Sequence, residues 1–414
     1  MNAFRLGWRN LWRNGRRTAI TLAAVALNTA ILIALYGLME GMVTDMVHNA
    51  THLVTGDAQV HARDYRAERS FYKDIPEPQR ILDAAAAADI LAAPRSFGYG
   101  LVSVGDKSAG AEFWGVDPAA EKRAFELADQ LDSGEFLAHQ AGSGEHMGRP
   151  VRQLVLGRKL AKSLHAEVGT EVVAVVQAAD GSPGNELFTV SGILKTCGEQ
   201  IDRSAAIIHR RDFRELFVSG GRIHEIALNG PEAMSAEQVA AAIESTAPEM
   251  EVLTWRELMP SLSDMVGLFD AAMVLFGLVF FLAAGLGVLN TMLMATFERM
   301  REFGVLKAIG ATPWRILRDV SAEALVMGLA ASAIGVVLGL AAMLYLHFVG
   351  IDLRFAGGDI TFSGVAFDPI WKSTLNLRAI VGPVLIMWLV CLLAALYPAA
   401  KAARIDPVRA MSHV

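Results

Sequence analysis

Four uncharged stretches, each at least 22 residues long, constrain the fold of this chain more than any other feature. They are Thr18–Met39, Ala271–Phe297, Ala324–Ile351 and Ala379–Ala400, and none of them contains Asp, Glu, Lys or Arg. An α-helix rises about 1.5 Å per residue, so roughly 20 residues cross the ~30 Å hydrocarbon core of a bilayer. The sequence therefore predicts a multi-pass α-helical membrane protein with four transmembrane helices.

The segment from Thr44 to Asp264, between the first two spans, has a different composition. It contains no uncharged stretch of that length, and strand-like alternation in Gly56–Arg63 and Glu171–Gln177 is mixed with helix-like patterns in Glu77–Ala92 and Ala236–Ser245. About 220 residues are enough for an independently folded domain with its own core. A large α+β domain is therefore predicted between the first and second helices.

Charge is divided along the same boundaries. Thr44–Asp264 carries 21 Lys and Arg against 33 Asp and Glu, a net charge of −12, whereas the rest of the chain has a net charge of +6. Nucleic-acid binding needs clustered positive charge, so this balance argues against a nucleic-acid partner.

The distribution of basic residues predicts the topology. Thirteen Lys and Arg lie before the first span, after the second and after the fourth, whereas three lie between the third and fourth spans. The positive-inside rule then places both termini in the cytoplasm and the large domain outside the inner membrane. The predicted order is 1–17 amphipathic cytoplasmic segment, 18–43 first transmembrane helix, 44–264 external domain, 265–297 second helix, 298–323 cytoplasmic hairpin, 324–351 third helix, 352–378 external loop, 379–400 fourth helix and 401–414 cytoplasmic tail.

The predicted hairpin is charged and amphipathic. Its first limb continues the second span as a helix and carries an apolar stripe at three-residue spacing: Met300, Phe303, Leu306 and Ile309. Gly310 predicts a helix end, and Thr312 followed by Pro313 predicts the capped start of the next helix. Such a limb can be contacted by a soluble partner, and an interfacial helix resting on lipid is the alternative.

Small residues recur along the third span. Gly328, Ser332, Gly335 and Gly339 lie about one turn apart, a spacing that allows close helix packing and self-association between subunits. In the fourth span, Pro398 is expected to end or kink the helix.

Motifs for catalysis are absent from the sequence. There is no GxxxxGK[ST] phosphate-binding loop, no HExxH and no GxSxG, and the ten histidines show no metal-ligand spacing. Cys197 and Cys391 are assigned to the external domain and the fourth span, and Cys197 is interpreted as a small, buried or partly exposed apolar residue rather than a nucleophile. No catalytic, cofactor-binding or metal-binding residue is therefore predicted.

With these residues in view, the chain resembles the FtsX-like permeases of ABC transporters, which include MacB-type and LolC-type members. The most specific agreement is ERMREFGVLKAIGATPWRILR, residues 298–318, and the tail YPAAKAARIDPVRAM, residues 397–411. WRNLWRNGRRT, VLGRKLAKSLHAEVGTEV and GVDP agree more weakly, so the resemblance extends over nearly the whole chain.

This resemblance implies a permease dimer, homomeric or heteromeric, served by a separate ABC ATPase. The ATPase is expected in trans because only 17 residues precede the first span, and ATP would be bound by that partner. The residues expected to couple the two proteins are Glu298, Arg301, Glu302, Phe303, Leu306, Ile309 and Gly310. ATP-driven motion would then be transmitted to the external domain.

Three functional hypotheses follow. The first is extraction or export of lipoproteins, lipids or amphiphilic peptides, with a periplasmic accessory protein or lipoprotein cargo as a further partner. The alternative is a transmembrane signal transducer that regulates a periplasmic hydrolase or senses peptides. A membrane-anchored hydrolase is disfavoured because no nucleophile and base converge in the sequence.

Overall fold

The computed structural model describes residues 15–139, 144–146, 149–231, 233–352, 361–362, 365–366 and 370–404. The predicted segment 1–17 lies mostly outside this set, as do the last ten residues of the predicted tail. The chain separates into two units, with divisions between Val43 and Thr44 and between Met265 and Val266. We call Thr44–Met265 the large domain, and the remaining described helices form the helical unit.

The secondary structure is as follows. The helices are α1 Gly15–Ala50, α2 Tyr65–Glu68, α3 Pro78–Ala87, α4 Pro118–Ala124, α5 Arg158–Leu164, α6 Glu199–Ser204, α7 Arg210–Leu216, α8 Ala236–Glu244, α9 Trp255–Leu258, α10 Pro260–Glu298, α11 Met300–Ala308, α12 Pro313–Phe348 and α13 Leu377–Ala403. The strands are β1 Ala58–His61, β2 Leu91–Val104, β3 Lys107–Val116, β4 Leu131–Gly134, β5 Gly144–His146, β6 Arg149–Val151, β7 Gln153–Leu156, β8 Glu171–Gln177, β9 Pro183–Leu194, β10 Ala205–His209, β11 Glu225–Asn229, β12 Glu251–Thr254, β13 Ile351–Asp352, β14 Thr361–Phe362, β15 Val365–Ala366 and β16 Ile370–Trp371.

Four of these helices are long and apolar enough to cross a membrane, as the sequence predicts. They are α1 with its extension to Thr55, α10, α12 and α13, with lengths of 41, 39, 36 and 27 residues. The helix does not end at Pro398, because α13 continues through that residue to Ala403, and the alternative of a kink stays a prediction. Pro398, Ala399 and Ala402 are buried, and this packing offsets the backbone hydrogen bond that proline removes.

The small residues of α12 lie against other helices of the same chain. A Cβ atom added to Gly335 would lie 2.6 Å from Thr29 Cβ on α1, a distance that only glycine accommodates without rearrangement. Gly339 lies against Ile33, and Gly328 lies against Cys391 on α13. Ser332 Oγ accepts a 3.0 Å hydrogen bond from Trp388 Nε1. The predicted packing residues thus face protein within one chain, and self-association through them stays a prediction.

The large domain contains a closed barrel of six strands. Neighbouring strands pair in the order β2, β3, β10, β7, β9 and β8, and β8 pairs with β2 to close the ring. Its interior holds fully buried aromatic and branched residues such as Phe113, Leu154 and Phe188. Phe213 of α7 and Phe217, the residue that follows this helix, belong to the same core, with ring centroids 4.4 Å apart.

A second core lies beside the barrel in the same domain. Strands β12, β1 and β11 extend the sheet from the first part of β2, and helices α3 and α8 contribute Ile81 and Ile243 to the buried cluster. Strand β2 belongs to both parts, since Leu91–Arg95 pairs with β11 and Gly100–Ser103 pairs with β8. Mixed α and β structure was predicted here, but the closure of the barrel was not.

Candidate functional site

Three residues determine the local shape of the hairpin between α10 and α12: Arg299, Gly310 and Thr312. Arg299 (φ −106°, ψ 12°) lies between the end of α10 and the start of α11, so the predicted continuous helix is wrong at this residue. Gly310, at φ +101°, ends the short helix: its amide bonds Lys307 O, and the Ala311 amide bonds Leu306 O. Thr312 Oγ1 then accepts from the Arg315 amide, which caps α12. The predicted stop and restart are confirmed.

Ion pairs and hydrogen bonds fix the base of the hairpin. Arg299 Nη1 lies 2.7 Å from the Oε2 atom of Glu323, a buried carboxylate on α12. Glu298 pairs with Arg17 of α1 at 2.9 Å. Lys307 Nζ donates to Ala403 O at the end of α13 (2.9 Å), where a cation is favoured by the helix dipole. Side-chain contacts therefore join the hairpin and the end of α10 to the other three long helices of the helical unit, α1, α12 and α13.

The predicted apolar stripe divides into an inward and an outward part. Phe303 is 3% exposed and belongs to the core cluster of the helical unit, so its prediction as a partner contact is corrected. Steps of three residues advance about 300° around an α-helix, and the stripe therefore drifts about 60° at each step. Between Phe303 and Ile309 the drift reaches about 120°, which separates the inward face from the outward face.

The outward part forms an exposed apolar surface. Val305, Leu306 and Ile309 project within about 100° of one another on the helix, and they are 45%, 39% and 76% exposed. Trp314, in the first turn of α12, is 70% exposed. We call these four residues the hairpin patch. Arg301 and Glu302 are also exposed, and Glu302 pairs with Arg299 at 3.2 Å. Exposed apolar residues together with charged neighbours are typical of a contact surface.

Comparison with protein families assigns most of the chain. Residues 18–246 match the MacB-like periplasmic core domain, and residues 274–407 match the FtsX-like permease C-terminal family. The chain belongs to the FtsX-like ABC transporter permeases. The four apolar helices and the α+β domain between the first two fit this assignment.

The permease aligns with nearly the whole length of one relative and with only part of another. It is 22% identical to the lipoprotein-releasing system transmembrane protein LolC of Neisseria meningitidis, over 96% of this chain and 94% of LolC. It is 24% identical to the pyoverdine export ATP-binding/permease protein PvdT of Pseudomonas syringae, over 100% of this chain but 59% of PvdT. Among solved structures, the periplasmic region of MacB from Actinobacillus actinomycetemcomitans has 13% identity and a TM-score of 0.35, covering 50% of this chain and 91% of that one.

The permease also contains a buried charge cluster that no sequence pattern pointed to. Arg95 on β2 is completely buried and bonds Glu121 at 2.5 Å, Glu225 at 3.0 Å and the carbonyl of Val54 at 2.5 Å. Burial acts to lower the pKa of Arg95, but the two carboxylates outweigh it and raise the pKa. The sequence gives only one indication of this cluster, an arginine within the largely apolar strand segment LAAPRSF. The two carboxylate partners of that arginine lie 26 and 130 residues away in the chain.

The thiol in the large domain has the environment of a structural residue. Cys197 is 4% exposed, and burial raises the pKa of its thiol to about 12. A neutral buried thiol is a poor nucleophile, so its interpretation as a small apolar residue rather than a nucleophile is confirmed. Among the residues that the structure describes, no three His, Cys, Asp or Glu side chains come together to hold a metal ion.

Proposed function

We propose that this permease is driven by a separate ATPase that docks on the hairpin patch and moves the large domain to extract amphiphilic cargo from the membrane. The observation that carries the proposal is the contrast within one hairpin. Its outward side chains Leu306, Ile309 and Trp314 are exposed, while its base is held by Arg299 and Glu298. An exposed apolar surface on a well-anchored support can receive a force and pass it to the helices behind it.

The chemistry of the hairpin patch favours a protein partner. Burying a leucine- or isoleucine-sized side chain contributes roughly 1.5–3 kcal/mol, so a few such residues can form the centre of an interface. Arg301 and Glu302 at its border would fix the orientation of the partner rather than add much affinity. Gly310 adds no side chain there, and a Cβ atom at this position would meet nothing within 4 Å. The turn at Gly310 is therefore accessible to a partner protein.

The cargo and the assembly are part of the same proposal. LolC is named for lipoprotein release and PvdT for pyoverdine export by a chain that is both ATP-binding protein and permease. By analogy with LolC, which this chain matches along most of both lengths, we propose lipoproteins, lipids or amphiphilic peptides as cargo. A second permease subunit would complete the transporter in the inner membrane, with both termini in the cytoplasm.

The decisive experiment changes Leu306→Asp in the affinity-tagged full-length permease. The aspartate would have to be desolvated inside the interface, so co-purification of a P-loop ATPase in mild detergent should fall by at least about tenfold. Mass spectrometry would quantify the ATPase and any bound amphiphile together. Leu187→Asp is the matched control, because Leu187 is a 50%-exposed residue of the large domain.

The outcomes separate the hypotheses. Loss of the ATPase with Leu306→Asp, and its retention with Leu187→Asp, supports docking at the hairpin patch. Normal ATPase recovery and normal ATP hydrolysis with Leu306→Asp would exclude it and favour a helix that rests on lipid. Recovery of the ATPase with an external protein but no amphiphile would instead support the signal transducer.

A further inference from the structure

A large groove in the large domain is lined by arginines. It has a volume of about 790 Å³ and lies within this domain alone. Five arginines from three segments, α4, α7 and the loop after α7, converge on it: Arg123, Arg210, Arg211, Arg214 and Arg222. The arginines give the groove a positive charge, whereas the segment Thr44–Asp264 as a whole has a net charge of −12. The volume is in the usual range of small-molecule sites, about 300–1,000 Å³.

The carboxylates near the groove offset only part of its positive charge. Asp89 and Asp117 also line it, but Asp117 Oδ1 accepts from the Ala119 and Ala120 amides as a helix cap. Arg211 pairs with Glu215 at 3.2 Å on the exposed surface of α7, and Arg222 lies 3.9 Å from Asp74. The first pair is exposed and the second is partly open to solvent, and solvent-accessible pairs contribute little to stability, roughly 0–1 kcal/mol.

The other three groove arginines have no carboxylate partner among the described residues. These are Arg123, Arg210 and Arg214, and Arg123 donates instead to the carbonyl of Ala119 at 3.2 Å. Positive charges gathered in this way repel one another unless an anion lies between them. A guanidinium group offers paired donors that match the oxygens of a phosphate, sulfonate or carboxylate.

Apolar residues line the groove as well. Leu82 comes from α3, and Leu91 and Pro94 come from the start of β2. Leu91 is 46% exposed, although it is the first residue of strand β2. The groove thus combines a cationic lining with an apolar one, a combination that suits a ligand with an acidic head and an apolar body.

We propose that this groove binds an anionic amphiphile, with its acidic headgroup between the arginines and its apolar part against Leu82, Leu91 and Pro94. An acidic protein segment fits the same charge but makes less use of the apolar residues. The inference concerns the large domain only, so it does not depend on an ATPase docking on the hairpin patch. A permease carrying Leu306→Asp should still bind the ligand.

The test uses full-length permease in phosphatidylcholine nanodiscs and the fluorescent anion 1-anilinonaphthalene-8-sulfonate. The double variant Arg210→Gln/Arg214→Gln removes two charges that have no carboxylate partner among the described residues. As a control for net charge, Lys159→Gln/Arg203→Gln removes two charges outside the groove, both of which pair with Glu199. The groove variant should weaken saturable binding by at least about tenfold, and the control should not. N-phenyl-1-naphthylamine lacks the sulfonate and should bind both double variants equally. Leu91→Gln should weaken both dyes.

Competition identifies the class of ligand. Octyl phosphate should displace the dye at concentrations at least about tenfold lower than inorganic phosphate, because only octyl phosphate contacts the apolar lining. Equal potency of the two phosphates would overturn the amphiphile and leave a simple anion site. Stronger displacement by hexaglutamate than by octyl phosphate would assign the groove to an acidic protein segment. Unchanged dye binding in the groove variant would overturn the site itself.

Discussion

Two groups of arginines in the large domain have opposite environments. Arg95 is completely enclosed, with its donors bound to Glu121, Glu225 and a backbone carbonyl. Arg210 and Arg214 line an open groove and have no carboxylate partner among the residues that the structure describes. The enclosed arginine joins β2 to α4 and β11, whereas the groove arginines leave donors available at the surface. The same residue type therefore holds the fold in one place and offers a binding surface in another.

The largest effect that tests this contrast is expected from Arg95→Met. The variant would leave Glu121 and Glu225 buried without their cation, and breaking such a pair typically destabilises a protein by about 3–5 kcal/mol. Thermal unfolding of the purified full-length permease, followed by intrinsic tryptophan fluorescence, should show a lower Tm. Adding Glu121→Gln should recover part of the loss. A Tm equal to that of the parent would show that the cluster is dispensable.

An intermediate effect is expected from Arg299→Gln in the hairpin. Arg299 is 20% exposed and pairs with Glu323, which is 9% exposed, so water replaces only part of the lost interaction. We expect a loss of about 1–3 kcal/mol, measured by the same unfolding experiment. The double variant Arg299→Gln/Glu323→Gln should be more stable than the single variant, because no buried carboxylate is left unpaired. Additive losses would indicate that the two residues act separately.

The smallest effect is expected from Arg210→Gln/Arg214→Gln. Neither side chain has a carboxylate partner among the described residues, so the free energy of unfolding should change by less than about 0.5 kcal/mol. A slight gain is consistent with reduced repulsion among the groove arginines. A loss comparable to that of Arg95→Met would remove the distinction between the two groups and assign the groove arginines to the fold.

Features set by neighbouring residues could be predicted from the sequence, whereas few contacts between residues distant in the chain could be. The four long helices, the stop at Gly310 and the cap at Thr312 depend on composition and on neighbouring residues, so their patterns could be read directly. The direction of Phe303 could not, because it depends on packing in the core of the helical unit, to which residues distant in the chain contribute. The partners of Arg95 and the closure of the barrel between β8 and β2 join residues far apart in the chain.

The same limit applies to the candidate site and the groove. Leu306 and Ile309 could be named from their spacing, and the structure adds that they remain exposed while Phe303 does not. The arginines of the groove come from α4, α7 and the loop after it, with Arg123 and Arg222 about one hundred residues apart in the chain. Their convergence is a property of the fold, and an overall negative charge concealed it.

Strand β2 has a mechanical consequence for a domain that we propose is moved by an ATPase. It lies antiparallel to β3 over ten consecutive residue pairs, about every second of which is hydrogen-bonded, and it passes from the open sheet into the closed barrel without interruption. A tensile force along its axis loads this ladder in shear, so the bonds resist together instead of separating one after another. The open sheet and the barrel are thereby coupled stiffly, and the domain responds to a pull by displacement as one body rather than by internal stretching.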